Sequence, residues 1–174
     1  YENNLADTAF LLKKVNMYYL RWFTPEVEID LCGHATLATA FVVMNYVEPG
    51  LMNLDFETQS GKLSVERAND WYTMNFPARM PVETKINPLL EEALGCRVLE
   101  TYLSRDLLVL AESEKVVENL EVNSNKLADI SKDIAFAVIV TAKGTSCDFV
   151  SRFFAPNAGV SEDPVTGSAH STLI

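Results

Sequence analysis

Two stretches of this 174-residue chain follow one pattern, and that echo constrains the fold more than any other feature. Arg21-Trp22-Phe23-Thr24-Pro25 leads through the acidic Asp30 to Gly33-His34-Ala35 and on into an apolar run. Arg152-Phe153-Phe154-Ala155-Pro156 leads through Glu162 and Asp163 to Gly167-Ser168-Ala169. From arginine to glycine is 12 residues in the first copy and 15 in the second. Such an ordered recurrence marks two homologous halves, each a strand, a loop and a buried helix. It places the first half at residues 1–80, β-rich with a central helix over 34–47. The second half, 81–174, stops at the start of its own central helix. Pro77, Pro81 and Pro88 lie in the aperiodic stretch between them, which reads as a linker.

Periodicity fills in the elements. Tyr18 to Phe23 is aromatic and β-prone, and Pro25 ends it. Ala35 to Tyr46 is small and apolar without a single charge. A helix apolar on every side must be buried all round, so this run predicts a core helix, closed by Pro49 and Gly50. Leu54 to Phe76 alternates, with turns at Ser60-Gly61 and Asn69-Asp70, as a β-meander does. Beyond the prolines, Leu89 to Leu94 reads as a short helix stopped by Gly95, and Asp106 to Ala111 as a strand. Glu112 to Leu120 reads as an amphipathic helix and Ile134 to Thr141 as a buried strand. The fold class is α+β.

Composition excludes several functions. The net charge of −10 and a pI near 4.6 argue against nucleic acid and anionic membrane surfaces, which reward basic patches. No apolar run approaches the roughly 20 residues of a membrane span. Cys32, Cys96 and Cys147 are scattered without a paired spacing, which fits a reducing, cytoplasmic setting rather than a disulfide framework. Cys32 reads as a small packing residue. With only His34 and His170, 136 residues apart, no metal site is expected, and no glycine-rich nucleotide loop is present. No secretory leader is expected, and a chain opening on Tyr1 reads as a piece of something longer.

The chemistry concentrates at the two helix starts. Gly33 and Gly167 let backbone approach a ligand closely, and the first N–H groups of a helix welcome a carboxylate or phosphate. Both histidines fall in these two segments. Two such walls facing one cleft, with acid–base residues on each, suit proton transfer on a small acid.

Three blocks carry a resemblance: Glu2 to Phe10, Leu20 to Ala40 (LRWFTPEVEIDLCGHATLATA) and Phe149 to His170 (FVSRFFAPNAGVSEDPVTGSAH). They resemble the phenazine-biosynthesis PhzF-like isomerase family. The resemblance implies a diaminopimelate-epimerase-like architecture of two pseudo-symmetric β-barrel-like halves, each wrapped around a central helix. It implies a cofactor-independent isomerase or epimerase acting on a small carboxylate-bearing metabolite, in a homodimer. Carried over by motif, the catalytic positions are Asp7, His34 and Asp163, and the substrate-binding positions are Gly33, Gly167 and Ser168. Asp7 stands where the family carries glutamate as general acid/base, one methylene shorter. The same fold without that glutamate also suits a non-catalytic binder of small acids. A cysteine-pair racemase would need a second thiol before Gly167, where Thr166 stands.

Overall fold

The computed structural model describes residues 7–15 and 17–173. The chain divides into two units. The first takes in the chain up to Pro77 together with Val165–Ser168, and the second holds Ala78–Pro164 and Ala169–Ile174.

The first unit is built on strands β1 (Thr8–Lys14), β2 (Met17–Phe23), β3 (Glu28–Ile29), β4 (Asn53–Thr58), β5 (Gly61–Ala68) and β6 (Trp71–Met74). In β2 the period of two sends Tyr18, Leu20 and Trp22 inward and leaves Met17, Tyr19 and Arg21 outside. β1 and β2 run antiparallel with Thr8 opposite Phe23, and β3 returns along β2 with Ile29 opposite Trp22. β4, β5 and β6 form the expected meander, turning at Ser60-Gly61 and at Asn69, whose φ of 57° is left-handed. β2 and β4 are parallel, and α1 (Gly33–Val42) supplies the crossover such a pair requires. The sheet order is β1-β2-β4-β5-β6, with β3 on β2.

α1 departs from all-round burial. It passes into a single wide turn at Val43–Val47, and Ala35, Thr36, Ala40, Val43 and Met44 face inward. Phe41, Val42, Tyr46 and Val47 remain exposed. Charge-free composition shows what a helix tolerates around it. How many neighbours it receives depends on the sheet, and α1 packs on β1 and β6 along one face. Phe41 instead stacks edgewise on Tyr46 and tilts against Tyr72.

The second unit carries β7 (Val82–Glu83), α2 (Leu89–Leu94), β8 (Val98–Leu103), β9 (Leu107–Ala111), α3 (Glu114–Glu118) and α4 (Ser124–Ser131). β10 (Val138–Lys143), β11 (Phe149–Ala155), β12 (Val160–Asp163) and α5 (His170–Leu173) follow. The sheet order is β12-β11-β10-β9-β8-β7, with only the β9–β10 pair parallel. Neither sheet closes on itself among the described residues. α2 ends as predicted at Gly95, whose φ of 69° is left-handed. Leu90, Leu94, Val109, Leu127, Val140 and Phe154 pack the core between helices and sheet.

Other elements also depart from the reading of the sequence, among them the helix expected over Glu112 to Leu120, which is the five-residue α3. α4, rich in polar residues, is set by Asn123, whose side chain accepts from the Lys126 N–H. The buried strand begins at Val138 rather than Ile134, because the N–H groups of Ile134 and Ala135 are taken by the Ser131 carbonyl as α4 closes. The Phe136 N–H is likewise taken by Arg105.

The echo is physical in each unit by itself. Arg21 clasps Glu28 with two bonds of 2.7 and 2.6 Å, and Arg152 clasps Glu162 with two of 2.7 and 2.8 Å. Each guanidinium also lies over the second aromatic of its motif, Phe23 at 5.1 Å and Phe154 at 5.2 Å. In both units that strand then pairs antiparallel with the short strand bearing the glutamate. Among the described residues no helix is long and apolar enough to cross a membrane.

Candidate active site

Register brings the first unit's reactive side chains together. Because Thr8 lies opposite Phe23, the chain just before β1 sits beside the end of β2. From there β3 and residues 30–32 suffice to reach the start of α1. Asp7, Cys32 and His34 converge at that point.

Cys32 precedes α1 in extended conformation, and its side chain offers no cap to the helix. Its thiol donates instead to Asp7 Oδ2 at 3.2 Å. The same carboxylate oxygen lies 3.4 Å from His34 Nε2, and Cys32 Sγ lies 3.8 Å from that nitrogen. His34 Nδ1 stands 2.9 Å from the Val165 carbonyl oxygen. A carbonyl only accepts, so Nδ1 carries the proton of that bond and Nε2 is the nitrogen beside the Asp7 carboxylate, while the Cys32 sulfur lies almost equally far from both, at 3.9 and 3.8 Å. A neutral imidazole would aim a lone pair at the carboxylate, whereas a proton on either partner makes the contact attractive. The Asp7 side chain is 8% exposed and that of His34 38%, so the carboxylate sits at the inner end and the imidazole towards solvent.

Gly33 and Gly167 meet closely. A Cβ on Gly33 would stand 2.7 Å from Phe76 Cζ and 3.2 Å from the Gly167 Cα, and one on Gly167 would stand 3.2 Å from the Gly33 Cα. A Cβ at either position would force its neighbours to shift. Thr36 fastens the turn by donating to the Cys32 carbonyl at 2.6 Å. Ser168, buried, follows Gly167 in the same unit.

Of the positions drawn from the sequence, Asp7, Gly33, His34, Gly167 and Ser168 thus lie in the first unit, with Asp7 and His34 in contact. Asp163 belongs to the second unit, where it closes β12 opposite Phe153. Cys32 was read as packing. It is buried, yet its thiol is engaged with the carboxylate. The available signal was its place immediately before Gly33. The Val165 carbonyl and Phe76 carried no sequence signal, since backbone acceptors and aromatic walls have no motif.

A family model for phenazine biosynthesis-like proteins, PhzC-PhzF, matches residues 1–174. The chain belongs to that family. It is 46% identical over 172 residues to an uncharacterized isomerase of Pseudomonas aeruginosa, covering 99% of this chain and 65% of that protein. Among solved structures, a PhzF-family protein of Enterococcus faecalis is 48% identical with a TM-score of 0.88, over 99% of this chain and 65% of the other. A PhzC/PhzF protein of Clostridium difficile, also 48% identical, gives 0.85 over 99% of this chain and 66% of its own. The two-sheet α+β architecture is therefore that of the phenazine biosynthesis-like family. The chain spans about 65% of the length of the relatives it matches.

Proposed function

We propose that this phenazine biosynthesis-like protein moves a proton on a small carboxylate-bearing metabolite, as an isomerase, with Asp7 as the general acid/base. The observation that carries the reading is the largely buried Asp7 carboxylate, in contact with both the Cys32 thiol and His34 Nε2 at the start of α1. In the proposed step Asp7 Oδ2 takes a proton from a substrate C–H, and the electron pair stays on the substrate, spread into its conjugated carboxylate. The proton then returns from Asp7 to another carbon, so no redox partner is needed. His34, its Nδ1 proton anchored on Val165, holds Nε2 ready to share that proton. The Cys32 thiol orients the carboxylate. The Gly33–Gly167 approach keeps side chains away from the N–H groups at the start of α1, which suit the substrate's carboxylate.

The test is deuterium uptake from D2O into small carboxylic acids, followed by NMR with the whole protein. Asp7→Asn should lower the exchange rate by about 10²–10⁴-fold. Asp7→Glu should retain measurable exchange, since the longer side chain is the one usual at this position in the family. If both variants and the native protein bind an acid equally well and none exchanges, the enzyme reading fails and a binding protein replaces it. Asp163→Asn and Ser168→Ala, assayed alone, test the shares that the family resemblance implies for those residues. Light scattering tests the expected homodimer.

A further inference from the structure

We propose that Ser60 and Thr36 are positioning residues, whose hydroxyls clamp residues 30–32 and so aim the Cys32 thiol at Asp7. The clamped segment links β3 to α1 and has no regular structure of its own. Ser60 Oγ donates to the Asp30 carbonyl at 2.8 Å, and Thr36 Oγ1 donates to the Cys32 carbonyl at 2.6 Å. The Thr36 N–H reaches the same Cys32 carbonyl at 3.2 Å. Between these anchors Leu31 is buried and holds the middle of the segment in the core. The direction of the Cys32 Cα–Cβ bond, and with it the place of the sulfur, follows from the backbone so fixed.

The Ser60 hydroxyl is not spent on its own turn. Thr58 Oγ1 closes that turn, donating to the Gly61 carbonyl at 2.6 Å and accepting from the Ser60 N–H at 3.1 Å. Serine hydroxyls commonly bond backbone a few residues away, whereas this one reaches a carbonyl 30 positions off. Thr36 bonds back four residues, as helical threonines do, but the carbonyl it finds there belongs to the residue that carries the thiol.

Other restraints on the thiol are few. β3 is only two residues long, and the Cys32 side chain bonds no N–H of α1. Yet the thiol meets the Asp7 carboxylate at 3.2 Å, a contact that a small swing of the segment would break. Reacting groups need such bonds behind them, because a displacement of about 1 Å can cost about 100-fold in rate. The consequence for turnover rests on the reading of Asp7 as the acid/base, whereas the aim of the thiol does not.

The test reads thiol and turnover separately, in the whole protein carrying Cys96→Ser and Cys147→Ser, so that Cys32 is the one thiol left. Its S–H stretch lies in an infrared window clear of other protein bands, and its frequency falls as the thiol donates more strongly. Ser60→Ala and Thr36→Val should each move that band to higher frequency and broaden it. Deuterium exchange should fall about 10–100-fold in kcat with KM unchanged. Ser60→Thr, which keeps the hydroxyl, should restore both band and rate. A variant that is folded but merely less stable, as its urea midpoint shows, would leave the band in place. Should Ser60→Ala fail to fold, Thr36→Val decides by the same band. A band unmoved by the substitution overturns the clamp, whatever the exchange rate. A moved band with undiminished exchange overturns its part in turnover. If the native protein exchanges no acid, the acid/base reading fails, and the S–H band still decides the clamp.

Discussion

At the scale of single residues, close approach and desolvation decide which side chains tolerate change. Gly33 has no room for a methyl group, because Phe76 Cζ would lie 2.7 Å from it. Gly33→Ala should cost about 1–3 kcal/mol through overpacking, read from the urea midpoint. Phe76→Leu in the same chain should recover part of that loss, a coupling expected only between touching residues. Asp106 is wholly buried and gripped by Arg105 through bonds of 2.9 and 2.7 Å. Asp106→Ala leaves a guanidinium without its buried partner, and should cost about 3–5 kcal/mol in the same measurement.

At the scale of elements, the two Arg–Glu clasps tie each echoed strand to the short strand that follows it. The Arg152 guanidinium holds Glu162 below its ordinary 4.5, so the folded chain binds that proton less readily than the unfolded chain. Its stabilisation is therefore complete above the unfolded value and is lost as pH falls through the lower folded one. Glu162→Gln should cost about 0.5–1 kcal/mol at neutral pH, a solvent-screened pair, with the gap from the native protein closing as pH falls below the ordinary 4.5 and through the lower folded value. Denaturant curves across that range check both the size and the direction. Element ends with a local chemical signal were legible: Gly95 stops α2 in a left-handed turn, and Ser60-Gly61 turns β4 into β5. The start of β10 was not, because which carbonyl claims the Ile134 and Ala135 N–H groups depends on α4, itself set by a cap rather than an apolar stripe.

At the scale of the whole molecule, burial grades the expected local stability of each unit. β10 lies between β9 and β11, and Val138, Ile139 and Val140 are fully buried. Its amides should be among the slowest to exchange in hydrogen-exchange mass spectrometry. β1 ends the strand path of its own sheet and leaves Phe10, Leu11 and Leu12 exposed, so its amides should exchange orders of magnitude faster. Comparable protection in the two strands would contradict this grading.

Read alone, the residues determined the α+β class, the meander and the glycine at the start of α1. All of these follow from periods and turn chemistry that act over a few residues. The tertiary structure decided that α1 is buried on one face only, and that Cys32 serves a carboxylate as well as packing. It also decided that His34 leans on Val165, 131 positions away. Those outcomes depend on sheet register, which sets residues beside one another regardless of their distance along the chain. Shifting the β1–β2 pairing by one residue would turn the side chains of β1 to the opposite face and disperse the cluster of Asp7, Cys32 and His34.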